Sequence, residues 1–193
     1  MLPTFLPGRL ALARGTSADY AALARFHYRP GRPATVAGVW AVRYHADVPA
    51  GAAGRVVAVG VLSFPTPRSV ERERALGLGG MGYGQRLRWL NANVRTISRV
   101  IVHPQFRSLG LASAVVRCML DEGPTTYVEA LAHLGRGHPL FEAAGMTRVE
   151  PACAARPVYF YRLRGSTDSE APIRKHQITS IKSQTSTNDQ TRK

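Results

Sequence analysis

Residues 107–112 read Arg-Ser-Leu-Gly-Leu-Ala, a pattern that can hold a phosphate group on bare backbone. Gly110 has no Cβ and Ala112 has only a methyl group, so an anion can approach the chain closely at both positions. If a helix begins here, its first turn presents unpaired N–H groups and the positive end of the helix dipole. Arg107 adds a cationic side chain at the entrance. The hexapeptide therefore predicts a diphosphate-binding turn, with an ordinary strand-to-helix turn as the alternative.

A strand is expected before this turn and a helix after it. The apolar residues of Thr96–Val102 predict a strand, which Pro104 stops. After the turn, apolar residues recur at every third or fourth position, which predicts a helix over Gly110–Glu122. A phosphate-binding turn requires this strand–turn–helix setting.

The remaining patterns predict an α/β domain with a mixed sheet. Further strands are expected at Leu10–Arg14, Gly38–Tyr44, Arg55–Leu62, Tyr127–Leu131 and Val158–Leu163, a first helix after Thr16, and a short helix at Pro139–Ala144. The second and third strands are expected to pair antiparallel. Residues 65–95 form a long insertion, which is expected to be helical from Val70 to Leu76. The predicted order is β-α-β-β-β-α-β-α-β.

Three motifs, in this order, resemble the GNAT superfamily of acyl-CoA-dependent N-acetyltransferases. Residues 100–104, Val-Ile-Val-His-Pro, match the family's apolar strand followed by proline. Arg107, Gly110 and Ala112 match its R/Q-x-x-G-x-G/A signature. Residues 141–146, Phe-Glu-Ala-Ala-Gly-Met, match its short helix that ends in glycine and an apolar residue. The resemblance covers about residues 9–163 and implies the GNAT fold, a mixed and mostly antiparallel sheet with helices on both faces.

The resemblance also implies acetyl-CoA as co-substrate and an amine as acceptor, which attacks directly within a ternary complex. Backbone groups of Val100, Ile101 and Val102 would face the acetyl thioester and the pantetheine arm. The diphosphate would lie against the backbone N–H groups of Arg107, Ser108, Leu109, Gly110, Leu111 and Ala112. A strand that diverges from its neighbour offers unpaired N–H donors, which can stabilise the oxyanion of a thioester under attack.

The proton route is open at this stage. Many relatives have a tyrosine four residues before the glycine of the last helix, as the acid that protonates the leaving thiolate, and this chain has Phe141 there. Water, Glu129, His133 and His138 are the alternatives. Glu129 could act as a base if it is buried on its strand, or it could pair with an arginine. We take Glu129 and His133 as the candidate catalytic residues, although loop and capping roles are the alternative for both histidines.

Arginine accounts for the excess positive charge of the folded part. The formal net charge of the 193 residues is +14, and residues 1–164 contribute +12 from 21 arginines and 9 acidic residues. The guanidinium group suits phosphate and carboxylate partners. This charge disfavours a polycationic acceptor and favours one that is anionic or linked to nucleic acid. A bias in genomic base composition is the alternative explanation.

A change in composition near Gly165 divides the chain. Residues 1–164 are expected to form one GNAT acyltransferase domain, and residues 165–193, which contain every lysine, a disordered polar tail. No apolar run reaches the length of a membrane span, and the N-terminus does not resemble a signal peptide. A reducing, cytoplasmic setting is expected, which fits the two cysteines of the chain. Cys118 and Cys153 lie in no metal-binding spacing, so no metal site is expected.

Two other functions stay open. The fold could bind CoA without catalysis, as a sensing or scaffold module, and Phe141 favours that alternative. The chain could instead be an arginine-rich nucleic-acid-binding protein, since basic and apolar residues alternate beside an aromatic one at Arg86–Asn91. The acceptor and the oligomeric state are not specified by the sequence.

Overall fold

Seven strands form one sheet in the computed structural model, which describes residues 9–29, 31–45, 54–133, 137–151, 153 and 155–164. The strands are β1 Arg9–Arg14, β2 Gly38–His45, β3 Arg55–Ser63, β4 Val94–Val102, β5 Tyr127–Ala132, β6 Thr147–Val149 and β7 Val158–Leu163. Their order across the sheet is β1-β2-β3-β4-β5-β7-β6. Within the described chain, β4 and β5 pair parallel and every other pair is antiparallel. The predicted mixed, mostly antiparallel sheet is confirmed.

Helices cover both faces of the sheet, also as predicted. They are α1 Ser17–Leu23, α2 Val70–Leu76, α3 Tyr83–Asn93, α4 Leu111–Glu122 and α5 Leu140–Ala143. Apolar residues of α4 and α5 form the main core with one face of β2, β3, β4, β5 and β7. On the opposite face, α1 packs against β3 and β4, and α2 and α3 pack against β4, β5 and β7.

The main core brings α4 unusually close to the sheet. Gly60 lies under this helix, and a Cβ at this position would be 2.4 Å from Cγ1 of Val115 and 2.7 Å from Cε of Met119. Val115 and Met119 are both fully buried. Because Gly60 pairs with Val100 of β4, this close approach fixes the helix relative to the strand that precedes it in the chain.

Two elements were missed by the sequence patterns. The insertion at 65–95 contains α3 in addition to the expected α2, and α3 begins after Gly82 without a capping side chain. Arginines interrupt its apolar pattern, so the buried pair Trp89 and Leu90 gives a weak helical signal. The strand β6 has three residues, too few for an alternating pattern.

The expected tail at 165–193 lies outside the described residues. In the part of the chain that is described, no helix combines the length and the apolar character needed to cross a bilayer. The described residues 9–164 contribute all seven strands to one continuous sheet.

Candidate active site

The parallel strands β4 and β5 separate halfway along their length. Their pairing runs from Val94 opposite Tyr127 to Ile97 opposite Ala130, although both strands continue beyond this point. From there β4 stays paired with β3 and β5 stays paired with β7. The upper part of β4, residues 98–102, therefore has no described strand on its β5 side. In a strand, the N–H and C=O groups of successive residues point alternately towards the two neighbouring strands. The groups of residues 98–102 that point towards β5 therefore have no strand partner there.

A β-bulge marks the point of separation. Val61 of β3 pairs with Arg99 and its neighbour Leu62 pairs with Ile97, so Ser98 is an extra residue in β4. The bulge is held by hydrogen bonds: the hydroxyl of Ser63 donates to that of Ser98 at 2.7 Å, and Ser98 Oγ donates to the carbonyl oxygen of Val61 at 3.2 Å.

The bulge also determines which face each β4 side chain reaches. Ile97 and Val100 both pack in the α4 core although they are three residues apart, and Ile101 packs on the α1 face. A regular strand would put residues three apart on opposite faces. With the extra residue, Arg99 lies on the α1 face beside the gap.

The end of β4 leads into the predicted phosphate turn. A single 3-10 turn, Pro104–Phe106, is followed by Arg107 and then by two residues with left-handed backbone, Ser108 at φ 63° and Gly110 at φ 74°. Glycine adopts this conformation readily, whereas serine seldom does. No atom lies within 4 Å of the position a Cβ would take at Gly110, so the space beside it is open.

Helix α4 begins at Leu111 with Gly110 as its N-cap, and no side chain bonds its first-turn N–H groups. Arg107, Ser108 and Gly110 are exposed, Leu109 packs against the main core and Leu111 is buried. The structure thus brings the six residues of the predicted turn together at the exposed start of a twelve-residue helix. Its dipole and free N–H groups suit an anion.

The side chains of the predicted thioester strand are used for packing. Val100 and Val102 are half-buried against the α4 core, and Ile101 is buried on the α1 face. The gap exposes the backbone groups of these three residues. This arrangement fits the role that the resemblance implies for this strand, which requires backbone donors and not side chains.

Glu129 lies at the lower, paired end of β5 and is fully buried. Nε and Nη2 of Arg72 donate to its two carboxylate oxygens, each at 2.7 Å. The Thr96 hydroxyl donates to Oε1 at 2.7 Å, and the Tyr159 hydroxyl donates to Oε2 at 3.0 Å. Of the two roles considered for Glu129, base or arginine partner, the structure shows the ion pair.

The residues around Glu129 keep this cluster charged and closed. Burial alone would lower the pKa of Arg72, but the hydrogen bonds and the charge of Glu129 raise it above its ordinary value. Burial, and then the Glu129 charge, raise the pKa of Tyr159, which stays a neutral donor. Arg72 and Tyr159 are buried and Thr96 is half-buried, so the carboxylate is hydrogen-bonded within the protein by three side chains.

The predicted histidines lie at the surface. His133 is exposed and directly follows β5, so it is at the open end of the gap, while His138 is exposed just before α5. Phe141 is buried in the main core, where its ring centroid is 5.1 Å from that of Phe160. The position where many relatives carry tyrosine is therefore a packing position in this chain.

Two further histidines line this end of the sheet on the α1 face. His103, at the end of β4, is buried, with Nε2 at 2.7 Å from Nη2 of Arg55 and its ring centroid 4.9 Å from that of Phe26. Burial first, and then the charges of Arg55 and Arg25, lower the pKa of His103. An uncharged imidazole is therefore favoured at neutral pH.

His27 is half-buried after the short 3-10 turn Ala24–Phe26. Its Nδ1 accepts a hydrogen bond from the Arg29 N–H at 3.0 Å. Burial lowers the pKa of His27, a backbone hydrogen bond at Arg29 opposes that change, and the charge of Arg99 lowers the pKa further. Sequence reasoning missed Arg99 because the bulge at Ser98 has no sequence signature.

Solved structures support the fold assignment. NAA60 from Arabidopsis thaliana in complex with acetyl-CoA matches with a TM-score of 0.52 and 13% identity, over 79% of this chain and 97% of that one. The same protein in complex with a bisubstrate analogue matches with a TM-score of 0.53 and 13% identity, over 82% and 100%.

No family model matches the sequence, and no curated protein does. At identities this low, structural likeness establishes the fold and leaves the activity open. The chain has the fold of the GNAT acetyltransferases, as its three motifs predicted.

Proposed function

We propose that this protein is an N-acyltransferase that transfers an acetyl group from acetyl-CoA to an amine. The observation that carries the proposal is the gap between β4 and β5, which opens after Ile97 and leads to the exposed first turn of α4. A groove of unpaired backbone groups that ends at a helix N-terminus fits a long ligand with a carbonyl at one end and a diphosphate at the other.

The turn at 107–112 would bind the diphosphate. Gly110 leaves open space beside the chain, the first-turn N–H groups of α4 have no side-chain cap, and Arg107 is exposed at the entrance. The backbone of Val100–Val102 would bind the pantetheine arm and the thioester. Its N–H donors would stabilise the negative charge that develops on the thioester oxygen.

The acceptor amine would attack the thioester directly. A covalent acyl-enzyme on Cys118 is disfavoured, because burial first, and then Glu122, raise the pKa of its thiol to about 12. A thiol with so high a pKa is a poor nucleophile at neutral pH. The amine and the thioester would therefore meet within one ternary complex.

We assign the proton transfer at the amine to His133 and not to Glu129. His133 is exposed where β5 ends, so it can reach both the gap and solvent. Glu129 is enclosed by Arg72, Thr96 and Tyr159, and its proposed role is to fix the paired half of β4 and β5. The buried ring of Phe141 cannot protonate the thiolate, so that proton is assigned to water.

The proposal is tested by incubating the protein with acetyl-CoA and a panel of primary amines, with CoA release and acetylated product measured together. Product formed in proportion to enzyme is expected. The His133→Gln variant should lower kcat by about 10²-fold or more, with little change in the KM for acetyl-CoA. The exposed His138→Gln variant is the matched control and should behave as the wild type.

An acetyl-CoA complex that forms but acetylates no amine would favour the CoA-binding scaffold, which Phe141 already suggests. Absence of acetyl-CoA binding, together with retention of nucleic acid that weakens steeply with salt, would replace the proposal by the nucleic-acid-binding alternative.

A further inference from the structure

The two faces of the sheet beside the gap between β4 and β5 differ. Helix α4 covers one face, and the phosphate turn at 107–112 leads directly into that helix. A donor held by this turn would enter the gap from the α4 side. The acceptor would then approach from the α1 side, which holds Arg99 and His27.

Four arginines on this α1 side have no carboxylate partner among the described residues. Arg25, Arg29, Arg55 and Arg99 form no ion pair with any carboxylate in the described part of the chain. Of the other described arginines, nine likewise have no described carboxylate partner, and seven pair with carboxylates, namely Arg14, Arg43, Arg72, Arg86, Arg148, Arg156 and Arg162. Two histidines lie among these arginines: Nη2 of Arg55 is 2.7 Å from Nε2 of His103, and the charges of Arg99 and Arg29 lower the pKa of His27.

Arg99 is the member of this group that lies on β4 in the segment 98–102, which has no described partner strand on its β5 side. Its Nε is buried without a hydrogen-bond partner among the described residues, and its Nη1 donates to the carbonyl oxygen of Ser98 at 2.8 Å. A buried guanidinium N–H without an acceptor costs free energy, which an anionic ligand would recover. The bulge at Ser98 directs this side chain to the α1 face, where a strand of regular register would direct it into the α4 core.

The structure assigns to Arg99 an anion-binding subsite for the acceptor: we propose that the acceptor amine carries a carboxylate or a phosphate group that Arg99 binds. This inference depends on the proposed acetyl transfer. The lowered pKa of His27 favours a neutral imidazole. The positive charge of the subsite therefore comes from arginine. An acceptor that is cationic apart from its amine would be repelled by the four unpaired arginines.

Acetyl transfer is measured with two matched pairs of amines, 3-aminopropanoate against 3-aminopropanamide and O-phosphoethanolamine against ethanolamine. Each pair differs in an anionic group, and comparison of the two pairs separates carboxylate from phosphate. The variants are Arg99→Gln and Arg99→Lys. Arg88→Gln removes the same charge from an exposed position on α3 and is the control.

We expect kcat/KM to be at least about 10-fold higher for the anionic member of a pair, the size of one charge-assisted hydrogen bond. The Arg99→Gln variant should remove that preference and leave the neutral amines within about twofold, and Arg99→Lys should restore part of it. Equal rates for both members of each pair would overturn the proposal. An Arg99→Gln loss of the same size for anionic and neutral amines would overturn it too.

Calorimetry with acetyl-CoA on the same preparations separates the two levels of inference. Lack of acetyl-CoA binding by the wild type overturns the transferase and leaves no acceptor subsite to assign. If acetyl-CoA binds but no amine reacts, N-acetyl-3-aminopropanoate is titrated into the CoA-saturated protein. Binding that is lost in Arg99→Gln and kept in Arg88→Gln supports the subsite, and any other pattern refutes it.

Discussion

Arg72 and Arg99 lie on the same face of the sheet, at the two ends of the β4–β5 pair, in opposite environments. At the paired end, Arg72 is 1% exposed, and two of its nitrogens donate to the fully buried carboxylate of Glu129. At the separated end, Arg99 has no described carboxylate partner, and its Nε is buried without an acceptor. Strands β4 and β5 are paired beside Arg72 and separated beside Arg99.

This contrast separates a structural arginine from one that is available to a ligand. At Glu129, where the strands pair, Arg72, Thr96 and Tyr159 supply the hydrogen-bond partners of the carboxylate. Where the strands diverge after Ile97, β4 has no described strand on its β5 side, and Arg99 Nε is buried without an acceptor among the described residues. A charged group therefore has to be judged by its surroundings in the fold, since both arginines have the same chemistry.

The largest expected effect comes from breaking the paired end. Glu129→Leu leaves the Arg72 guanidinium buried without its counter-charge, so we expect a loss of about 3–5 kcal/mol in the free energy of unfolding. The double variant Glu129→Leu with Arg72→Met should recover most of that loss, because it removes both charges together. Urea denaturation measures both values. A single variant within about 1 kcal/mol of the wild type would show that this end is not a closed structural unit.

The next effect concerns the packing that positions the separated end. Gly60→Ala puts a methyl group 2.4 Å from Val115, so α4 must shift, and we expect a loss of about 1–3 kcal/mol together with weaker acetyl-CoA binding. Gly79→Ala is the control, since the space beside Gly79 is open, and it should stay within about 0.5 kcal/mol. Equal stability of the two variants would contradict the account of α4.

A pH dependence should follow from the two histidines at the separated end. The folded-state pKa of both His27 and His103 is lowered, so protons bind preferentially to the unfolded chain. The contribution of these two neutral histidines to the free energy of unfolding should be fully present at neutral pH. It should decrease as the pH falls below about 6.5, the ordinary pKa of histidine. His103→Phe keeps an aromatic ring beside Phe26 and removes one titrating group, so the decrease should be shallower. The slope of the unfolding free energy against pH should change by at most about 1.4 kcal/mol per pH unit, the value for one proton. Parallel stability curves from pH 8 to pH 5 would contradict the prediction.

The smallest effect on stability is expected for Arg99→Gln. This variant breaks no ion pair with a described carboxylate, so we expect a change of about 0.5 kcal/mol or less in the free energy of unfolding. The same denaturation experiment measures it. A loss comparable to that of Glu129→Leu would show that Arg99 is a structural arginine like Arg72 and would remove the contrast between the two ends.

The sequence predicted the parts of the fold that have a local signal. The strand before Pro104, the turn at 107–112 and the helix after it depend on short apolar patterns and on glycine, and each was found within about two residues of its expected bounds. The first helix after Thr16 and the antiparallel pair of β2 and β3 were likewise predicted and observed.

The features that the sequence could not show depend on contacts between distant residues. The partner of Glu129 is Arg72, 57 residues away, and nothing near either residue in the chain identifies that pair. The bulge at Ser98 and the position of Arg99 follow from the register between β3 and β4. Helix α3 was missed because its buried side depends on packing against Tyr127 and Tyr161 of the sheet.

Calorimetric titration of acetyl-CoA tests the central claim most directly, with the wild type, Ala112→Glu and Ala112→Gln. The two variants have the same size and differ in one negative charge in the first turn of α4, where an acidic residue does not destabilise the helix. We predict saturable binding to the wild type and an affinity at least about 10-fold weaker for Ala112→Glu than for Ala112→Gln. No binding heat with well-folded wild-type protein, or equal affinities for the two variants, would contradict the assignment of this turn as the diphosphate site.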